Sequence, residues 1–230
     1  LAVLLGADFL NMAAIFLVVC TLIVLAVCTY ANRILTKPPR IFFFFLRKNM
    51  VLIHLATGFE EIEALTAADL LRRAEKDVQL VSVTGEKTVA GAHGIKVEAD
   101  LLFEEADYSC CEMIVLPGGM PGTKNLAAHS GLCDKINEFN GSGRPIAAIC
   151  AAPMVLGGLG ILVGRKATIY PGMEQYLKGA SHAEGKVVTD GNLITSMGPG
   201  TAMDFGLAIV ERLCGEDAAK ELRNDLIFNI

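Results

Sequence analysis

The chain has 230 residues and a formal net charge of −5 at pH 7, and 53% of its residues are hydrophobic. This length allows one α/β domain with an appendage, or at most two small domains. Residues 1–49 hold five basic residues and one acidic residue, which leaves 15 basic and 24 acidic residues in 50–230. The acidic part has no basic stripe with interleaved aromatic residues, which argues against a nucleic-acid partner.

The seven cysteines form no CxxC pair and no Cys/His spacing suited to zinc, so their pattern predicts no metal site. An odd number of cysteines without framework spacing indicates a reducing compartment. We therefore expect a cytoplasmic domain, with a membrane-anchored domain facing the cytoplasm as the alternative.

That alternative comes from the N-terminal 49 residues. Residues 13–31 form an uncharged, almost wholly apolar run of 19 residues, which is the length of one transmembrane helix. Basic residues follow this run, and they would keep the next domain on the cytoplasmic side. A second interpretation is a mis-assigned start, because the chain opens on Leu1, contains the run Phe42 to Phe45 and has Met50 just before the first predicted strand. The sequence leaves both interpretations open, and the predicted division is 1–49 and 50–230.

From Met50 onward, apolar runs alternate with helical patterns. Buried strands are predicted at 51–56, 78–83, 113–116 and 146–149, helices at 61–74 and 125–140, and a hairpin with strands 187–189 and 193–195 around Asp190-Gly191. A last long helix is predicted after Gly200, with Thr201 as its cap and Ala202, Phe205 and Ile209 on its apolar stripe. This order predicts an α/β fold with a mostly parallel sheet and helices on both faces.

Cys150 stands out because it directly follows the predicted strand 146–149, and Pro153 suits the first turn of the next helix. In open α/β sheets, ligands bind at the carboxyl ends of the strands. Amide groups at the helix start would favour the thiolate of Cys150 by lowering its pKa, and the thiolate is the nucleophile. The alternative is a small packed core residue, since free cysteine is often buried.

Glu63 falls on the apolar stripe of the first predicted helix, together with Ala67, Leu70, Leu71 and Ala74. Burial would raise the pKa of its carboxyl group, so that Glu63 stays protonated near neutral pH and donates a hydrogen bond to a neighbouring anion. The first strand and the Cys150 strand open on the same sheet edge, so we expect Glu63 and Cys150 to meet.

Gly118 and Gly119 follow the strand 113–116 at that edge. Their backbone amides, with that of Ala151, could bind an oxyanion. No GxGxxG or Walker pattern is present, so no cofactor is predicted. The histidines show no triad spacing and are interpreted as surface or packing residues, with the loop residues His93 and His182 kept as alternatives.

Four motifs carry a resemblance to a known family: Gly58-Phe59-Glu60-Glu61-Ile62-Glu63, Leu116-Pro117-Gly118-Gly119, Ala147-Ala148-Ile149-Cys150-Ala151 and Thr195-Ser196-Met197-Gly198-Pro199-Gly200-Thr201. In this order they resemble the ThiJ/PfpI superfamily, and most closely the branch of the protein deglycase associated with Parkinson disease. The resemblance implies a flavodoxin-like sandwich, a homodimer, Cys150 as reactive nucleophile and Glu63 as its protonated partner. Some members have a histidine near the nucleophile where this chain has Tyr170, which we expect to hydrogen-bond substrate instead.

The resemblance implies a cofactor-free glyoxalase or deglycase that acts on 2-oxoaldehydes such as methylglyoxal, with a role in carbonyl and oxidative stress. A non-enzymatic redox sensor or chaperone-like protective protein using the same cysteine is the alternative. A cysteine peptidase or amidase is a weaker alternative, because no Cys-His pair is evident in the sequence. A protein related to thiamine biosynthesis is another weaker alternative, because some relatives carry that label. The site predicted from the sequence consists of Cys150 and Glu63 as catalytic residues, with Gly118, Gly119, Ala151 and Tyr170 binding the oxyanion or substrate.

Overall fold

The computed structural model describes residues 49–228. The predicted extension, including the apolar run 13–31, lies outside the described residues. Within residues 49–228, no helix combines the length and the apolar character needed to cross a membrane.

A seven-stranded sheet forms the centre of the described domain. Its strands are β1 (Met50–Leu55), β2 (Asp77–Ser82), β5 (Leu101–Leu102), β6 (Cys111–Leu116), β7 (Ile146–Ile149), β10 (Val187–Asp190) and β11 (Leu193–Ser196). Their order across the sheet is β10-β11-β7-β6-β1-β2-β5. Neighbouring strands are parallel, except that β10 pairs antiparallel with β11 as the predicted hairpin requires. The order β2-β1-β6-β7-β11 is the flavodoxin-like order of a doubly wound sheet.

Two small ladders lie apart from this sheet: β3 (Thr88–Ala90) pairs with β4 (Lys96–Glu98), and β8 (Lys166–Ala167) pairs with β9 (Ser181–His182). The helices are α1 (Glu61–Arg73), α2 (Gly122–Ala128), α3 (Ser130–Gly141), α4 (Pro153–Gly158), α5 (Ala202–Cys214) and α6 (Glu216–Asp225). The predicted α/β fold with a mostly parallel sheet is confirmed.

Both faces of the sheet are covered, because alternate residues of each central strand pack into different apolar clusters. Val51 and Ile53 of β1 pack with α1 and α5, whereas Leu52 packs on the other face with α2, α3 and α4. Every residue of β1 is buried, as expected for a parallel strand between two helix layers. The rigid sheet therefore fixes the positions of the loops at its carboxyl edge.

Two local predictions differ from the structure. The helix predicted at 125–140 is interrupted at His129, which has an extended backbone and whose Nδ1 accepts a hydrogen bond from the Leu132 amide, so that it caps α3. Thr201 precedes α5 but makes no side-chain cap hydrogen bond to it. Its hydroxyl oxygen instead accepts from the Gly198 amide at 3.1 Å, which closes the turn before the helix.

Candidate active site

Cys150 lies in a sharp turn between β7 and α4, the latter beginning at Pro153. Its φ is +63°, in the left-handed region that non-glycine residues rarely adopt, at a cost of roughly 1–3 kcal/mol. Hydrogen bonds hold both sides of this residue: its amide donates to the Ser196 carbonyl at 2.8 Å, and its carbonyl accepts from the Tyr170 amide at 2.9 Å. The strained turn directs the thiol toward the carboxyl edge of the sheet, as an elbow requires.

Glu63 in the first turn of α1 is 1% exposed. Its Oε2 accepts a hydrogen bond from the Gly118 amide at 2.7 Å, and its Oε1 is buried with no partner among the described residues. A Cβ atom on Gly118 would lie 2.6 Å from the Cys150 Cβ and 2.8 Å from Glu63 Oε2. Gly118 therefore lies against both the carboxyl group and the cysteine, and a larger residue would not fit there.

The structure gives both side chains a raised pKa. Burial raises the pKa of Glu63 to about 7, against the hydrogen bond from Gly118. Burial, followed by the nearby Glu63 charge, raises the pKa of Cys150 to about 12, although the amides of Gly119 and Ala151 act in the opposite direction. The predicted rise for Glu63 is confirmed. The predicted lowering of the Cys150 pKa is wrong in direction, because burial and the neighbouring carboxylate outweigh the amide groups.

These two shifts belong to one coupled pair. Ionisation of either Glu63 or Cys150 opposes ionisation of the other, so the pair loses its two protons in widely separated steps. Between those steps it carries a single negative charge and a single proton. Such a pair can pass a proton between the carboxyl oxygen and the sulfur while a substrate reacts.

The backbone amides around the thiol have different partners. The Gly118 amide donates to Glu63, so it is occupied by the carboxylate and is not free for an oxyanion. The amides of Gly119 and Ala151 face the sulfur of Cys150 and lower its pKa. Gly119 has a φ of +88°, and a Cβ on it would come within 2.6 Å of the Gly58 carbonyl oxygen. Only glycine therefore suits this position.

Tyr170 is held beside the nucleophile by the hydrogen bond from its amide to the Cys150 carbonyl. Its side chain is 47% exposed. A Cβ atom on Gly198 would lie 3.2 Å from Tyr170 Cδ2 and 4.0 Å from the Cys150 sulfur. Because Gly198 has no side chain, the space between the Tyr170 ring and the Cys150 thiol stays open. The sequence analysis placed Gly198 in the fourth motif but did not predict this role.

The four histidines are His54, His93, His129 and His182. His54 is fully buried, and its Nε2 lies 2.7 Å from the Tyr108 hydroxyl. His129 caps α3, and the Nδ1 of His93 lies 2.9 Å from Glu61 Oε2. The fourth lies exposed in β9. The contacts of His54, His93 and His129 agree with packing and surface roles. No histidine is therefore assigned to Cys150 among the described residues, and Tyr170 is held next to it by its backbone.

Comparison with known proteins places these features in a family. The sequence pattern of the DJ-1/PfpI family matches residues 49–212. Protein DJ-1 homolog B of Arabidopsis thaliana is 39% identical over 173 residues, which are 75% of this chain and 40% of that protein. This chain therefore spans less than half the length of that plant relative.

A deglycase of Pyrococcus abyssi is 32% identical over 152 residues, which cover 65% of this chain and 90% of that protein. Among solved structures, oxidized Toxoplasma gondii DJ-1 superposes with a TM-score of 0.76 at 34% identity, covering 79% of this chain and 99% of that one. Glu63, Gly118 and Cys150, whose geometry is given above, lie within the matched residues 49–212. On both sequence and fold, the chain belongs to the DJ-1/PfpI family.

Proposed function

We propose that this chain is a cofactor-independent enzyme of the glyoxalase or deglycase type, acting on 2-oxoaldehydes such as methylglyoxal. The observation that carries the proposal is the buried pair of Glu63 and Cys150, both of which lie against Gly118 and shift each other's pKa. A nucleophile and a proton carrier in contact supply both parts of covalent acid–base catalysis. The name of the Pyrococcus abyssi relative supports the same class of chemistry.

The reaction begins when the Cys150 proton passes to the carboxylate of Glu63 and the sulfur adds to the aldehyde carbon. The resulting hemithioacetal keeps all substrate atoms and has its negative oxygen near the amides of Gly119 and Ala151, which stabilise it. The proton that Glu63 took from Cys150 passes to this oxygen, which leaves Glu63 a carboxylate again. Glu63 then removes the proton from the first carbon and returns it to the adjacent carbonyl carbon, while the hydroxyl proton of the first carbon passes to the oxygen of the second. The first carbon is thereby oxidised to a thioester and the second reduced to an alcohol, with no external oxidant.

Water then attacks the thioester, which releases a 2-hydroxy acid and restores the Cys150 thiol. The net change is the addition of one water to the 2-oxoaldehyde. Tyr170 is partly exposed and is held beside Cys150 by its backbone, and its hydroxyl group is proposed to hydrogen-bond the substrate oxygen. Gly118 contributes by holding Glu63 and not by binding the oxyanion.

The test is turnover of methylglyoxal to lactate by the purified chain, without glutathione and with a metal chelator present. We expect turnover in the wild type and none in Cys150→Ser, which keeps the shape of the side chain but loses the nucleophilic sulfur. Absence of lactate from the wild type would reject the proposal.

A redox-sensing role of the same thiol is the second candidate, and the relative solved in an oxidized form favours it. In this role peroxide transfers one oxygen to the Cys150 sulfur, giving a sulfenate and water. Cys214 is exposed at the end of α5 and provides the comparison within the chain. Peptide mapping after low peroxide should show Cys150 modified first, and earlier modification of Cys214 would reject the sensor role.

We also propose a homodimer located in the cytoplasm. The family resemblance supports the dimer, and so do two large apolar side chains exposed on α1, Ile62 and Leu65. The reducing compartment indicated by the cysteine pattern supports the location.

A further inference from the structure

Three side chains beside the α1 start converge although they are distant in sequence. Glu60 precedes α1, Glu61 is its first residue, and His93 lies in the loop between β3 and β4. His93 Nδ1 is 2.9 Å from Glu61 Oε2 and 3.7 Å from Glu60 Oε2. One nitrogen or oxygen atom of each residue lies within 4.8 Å of the others. The separation of 32 positions between Glu61 and His93 explains why sequence spacing predicted no metal site.

The backbone holds Glu61 in this orientation. Its Oε1 accepts a hydrogen bond from the His93 amide at 2.8 Å and a longer one from the Ile95 amide at 3.4 Å. These bonds tie the β3–β4 loop to α1 and leave Oε2 facing the imidazole. A Cβ on Gly91 would overlap the Glu61 carboxyl group, so the loop can approach this closely only with glycine there. The acceptor atoms are thus fixed before any ligand arrives.

Glu60 supplies a second, independent observation. It is 8% exposed, and among residues 49–228 its carboxylate accepts no hydrogen bond. Its closest charged partner is His93 Nδ1, at 3.7 Å. The Glu60 side chain is 10% exposed, and its carboxylate converges with Glu61 and His93 on one point. A cation at that point would compensate its charge.

We propose that Glu60, Glu61 and His93 bind a divalent transition-metal ion of the zinc type. One imidazole nitrogen and two carboxylate oxygens are ligands that zinc accepts, at bond lengths of about 2.0–2.2 Å. Two ligands at such lengths in a tetrahedron are about 3.4 Å apart, and the observed separations of 2.9 and 3.7 Å bracket that value. Because the hydrogen bond to Glu61 and the charges of both carboxylates raise the pKa of His93, the metal ion takes the place of the Nδ1 proton. The exposed side of His93 leaves a fourth position for water. This binding goes beyond the proposed aldehyde chemistry, which needs no metal.

The test is isothermal titration of the full chain with Zn²⁺ at neutral pH, in the wild type and in Glu60→Gln, His93→Gln and His182→Gln. We expect one ion per chain, an affinity at least about tenfold lower in Glu60→Gln and His93→Gln, and an unchanged affinity in His182→Gln. His182 is the matched control because it is also an exposed histidine. Wild-type affinity in His93→Gln would overturn the proposal and leave the His93–Glu61 contact as a tie between loop and helix.

Because thiolates also bind zinc, Cys150→Ser is titrated in parallel and is expected to keep the site. Loss of binding in Cys150→Ser would place the ion at the nucleophile and reject the proposal. A second measurement does not depend on the folding of variants: Zn²⁺ should shift the ring resonances of His93 in wild-type NMR spectra and leave those of His182 in place. Shifts of the His182 resonances alone would also reject the proposed zinc site.

Discussion

Two factors raise the pKa of the Cys150 thiol: burial first, and then the neighbouring carboxylate of Glu63. The amides of Gly119 and Ala151 stabilise negative charge on its sulfur, but burial and the Glu63 carboxylate oppose it more strongly. The thiol is therefore activated when Glu63 accepts its proton, and not by a permanently low pKa. Nucleophile and acid–base group act as a unit, which a single substitution at Glu63 can test.

Glu63→Gln keeps the shape of the side chain, and its amide oxygen can still accept the hydrogen bond from Gly118. The variant cannot exchange a proton during turnover. Loss of a positioned acid–base group lowers rates by about 10²–10⁴-fold, so we expect kcat for methylglyoxal to fall by this factor. Stopped assays of lactate formation measure it.

The matched control for this prediction is Glu60→Gln. Glu60 is also a buried carboxylate at the start of α1. Its charge is the smallest of the named causes that shift the pKa of Glu63, and among residues 49–228 its side chain makes no hydrogen bond to Gly118 or Cys150. We expect kcat in Glu60→Gln to remain within about threefold of the wild type, far less than the loss expected at a general acid–base. Equal loss in both variants would show that the general negative charge of this region matters, and not proton transfer by Glu63.

The secondary structure elements were predictable where burial dictates the pattern. The strand at 146–149, the helix that begins at Glu61 and the hairpin around Gly191 follow from apolar runs and turn residues. The interruption of the second predicted helix was not predictable, since histidine is not among the favoured N-cap residues. The sequence likewise could not show that Thr201 bonds within its own turn.

The same distinction holds for the candidate site. Parallel strands bring Glu63 and Cys150 to one edge, and this much followed from the order of the elements. The assignment of the Gly118 amide to Glu63, and the meeting of His93 with Glu61, depend on three-dimensional contacts over 55 and 32 positions. No local pattern encodes contacts of that kind.

The cap of α3 gives a prediction for this element. His129 Nδ1 accepts from the Leu132 amide at 3.0 Å, and replacing a capping side chain by alanine costs about 0.5–2 kcal/mol. We expect His129→Ala to lower the free energy of unfolding by about 1 kcal/mol. His129→Asn, which retains an acceptor for the same amide, should recover much of this loss. Urea unfolding of both variants provides the measurement, and equal stability of the two would mean that packing and not capping is the role of His129.

Stability of the whole domain should respond to pH through His54. This residue is fully buried, and burial lowers its pKa from 6.5 to about 3. Below pH 6.5 the unfolded chain binds a proton that the folded state does not, so the free energy of unfolding falls as the pH falls from 6.5 to 3. The full contribution is roughly 5 kcal/mol, of which roughly 2–3 kcal/mol is lost by pH 4.5.

This contribution can be isolated by comparing urea unfolding of the wild type and His54→Gln at pH 7 and pH 4.5. Other titrating groups are common to both proteins, so they cancel in the difference. We expect the wild type to lose about 2–3 kcal/mol more than His54→Gln between these pH values, even if the variant is less stable at pH 7. Parallel losses would show that His54 is protonated in the folded protein.

Assembly is the remaining property of the whole molecule. Ile62 and Leu65 are three positions apart on α1, so they share one helix face, and they are 55% and 37% exposed. In a twofold-symmetric dimer a residue on this face is buried twice, so Ile62→Arg should place two charges in the interface. We expect light scattering to give a mass of two chains for the wild type and a dimer dissociation constant at least about tenfold higher for Ile62→Arg. Val163→Arg is the control, because Val163 is 67% exposed in a turn outside α1, and it should leave the dimer intact. A monomeric wild type would refute the proposed dimer. Equal effects of Ile62→Arg and Val163→Arg on the dissociation constant would show that the exposed face of α1 is not the interface.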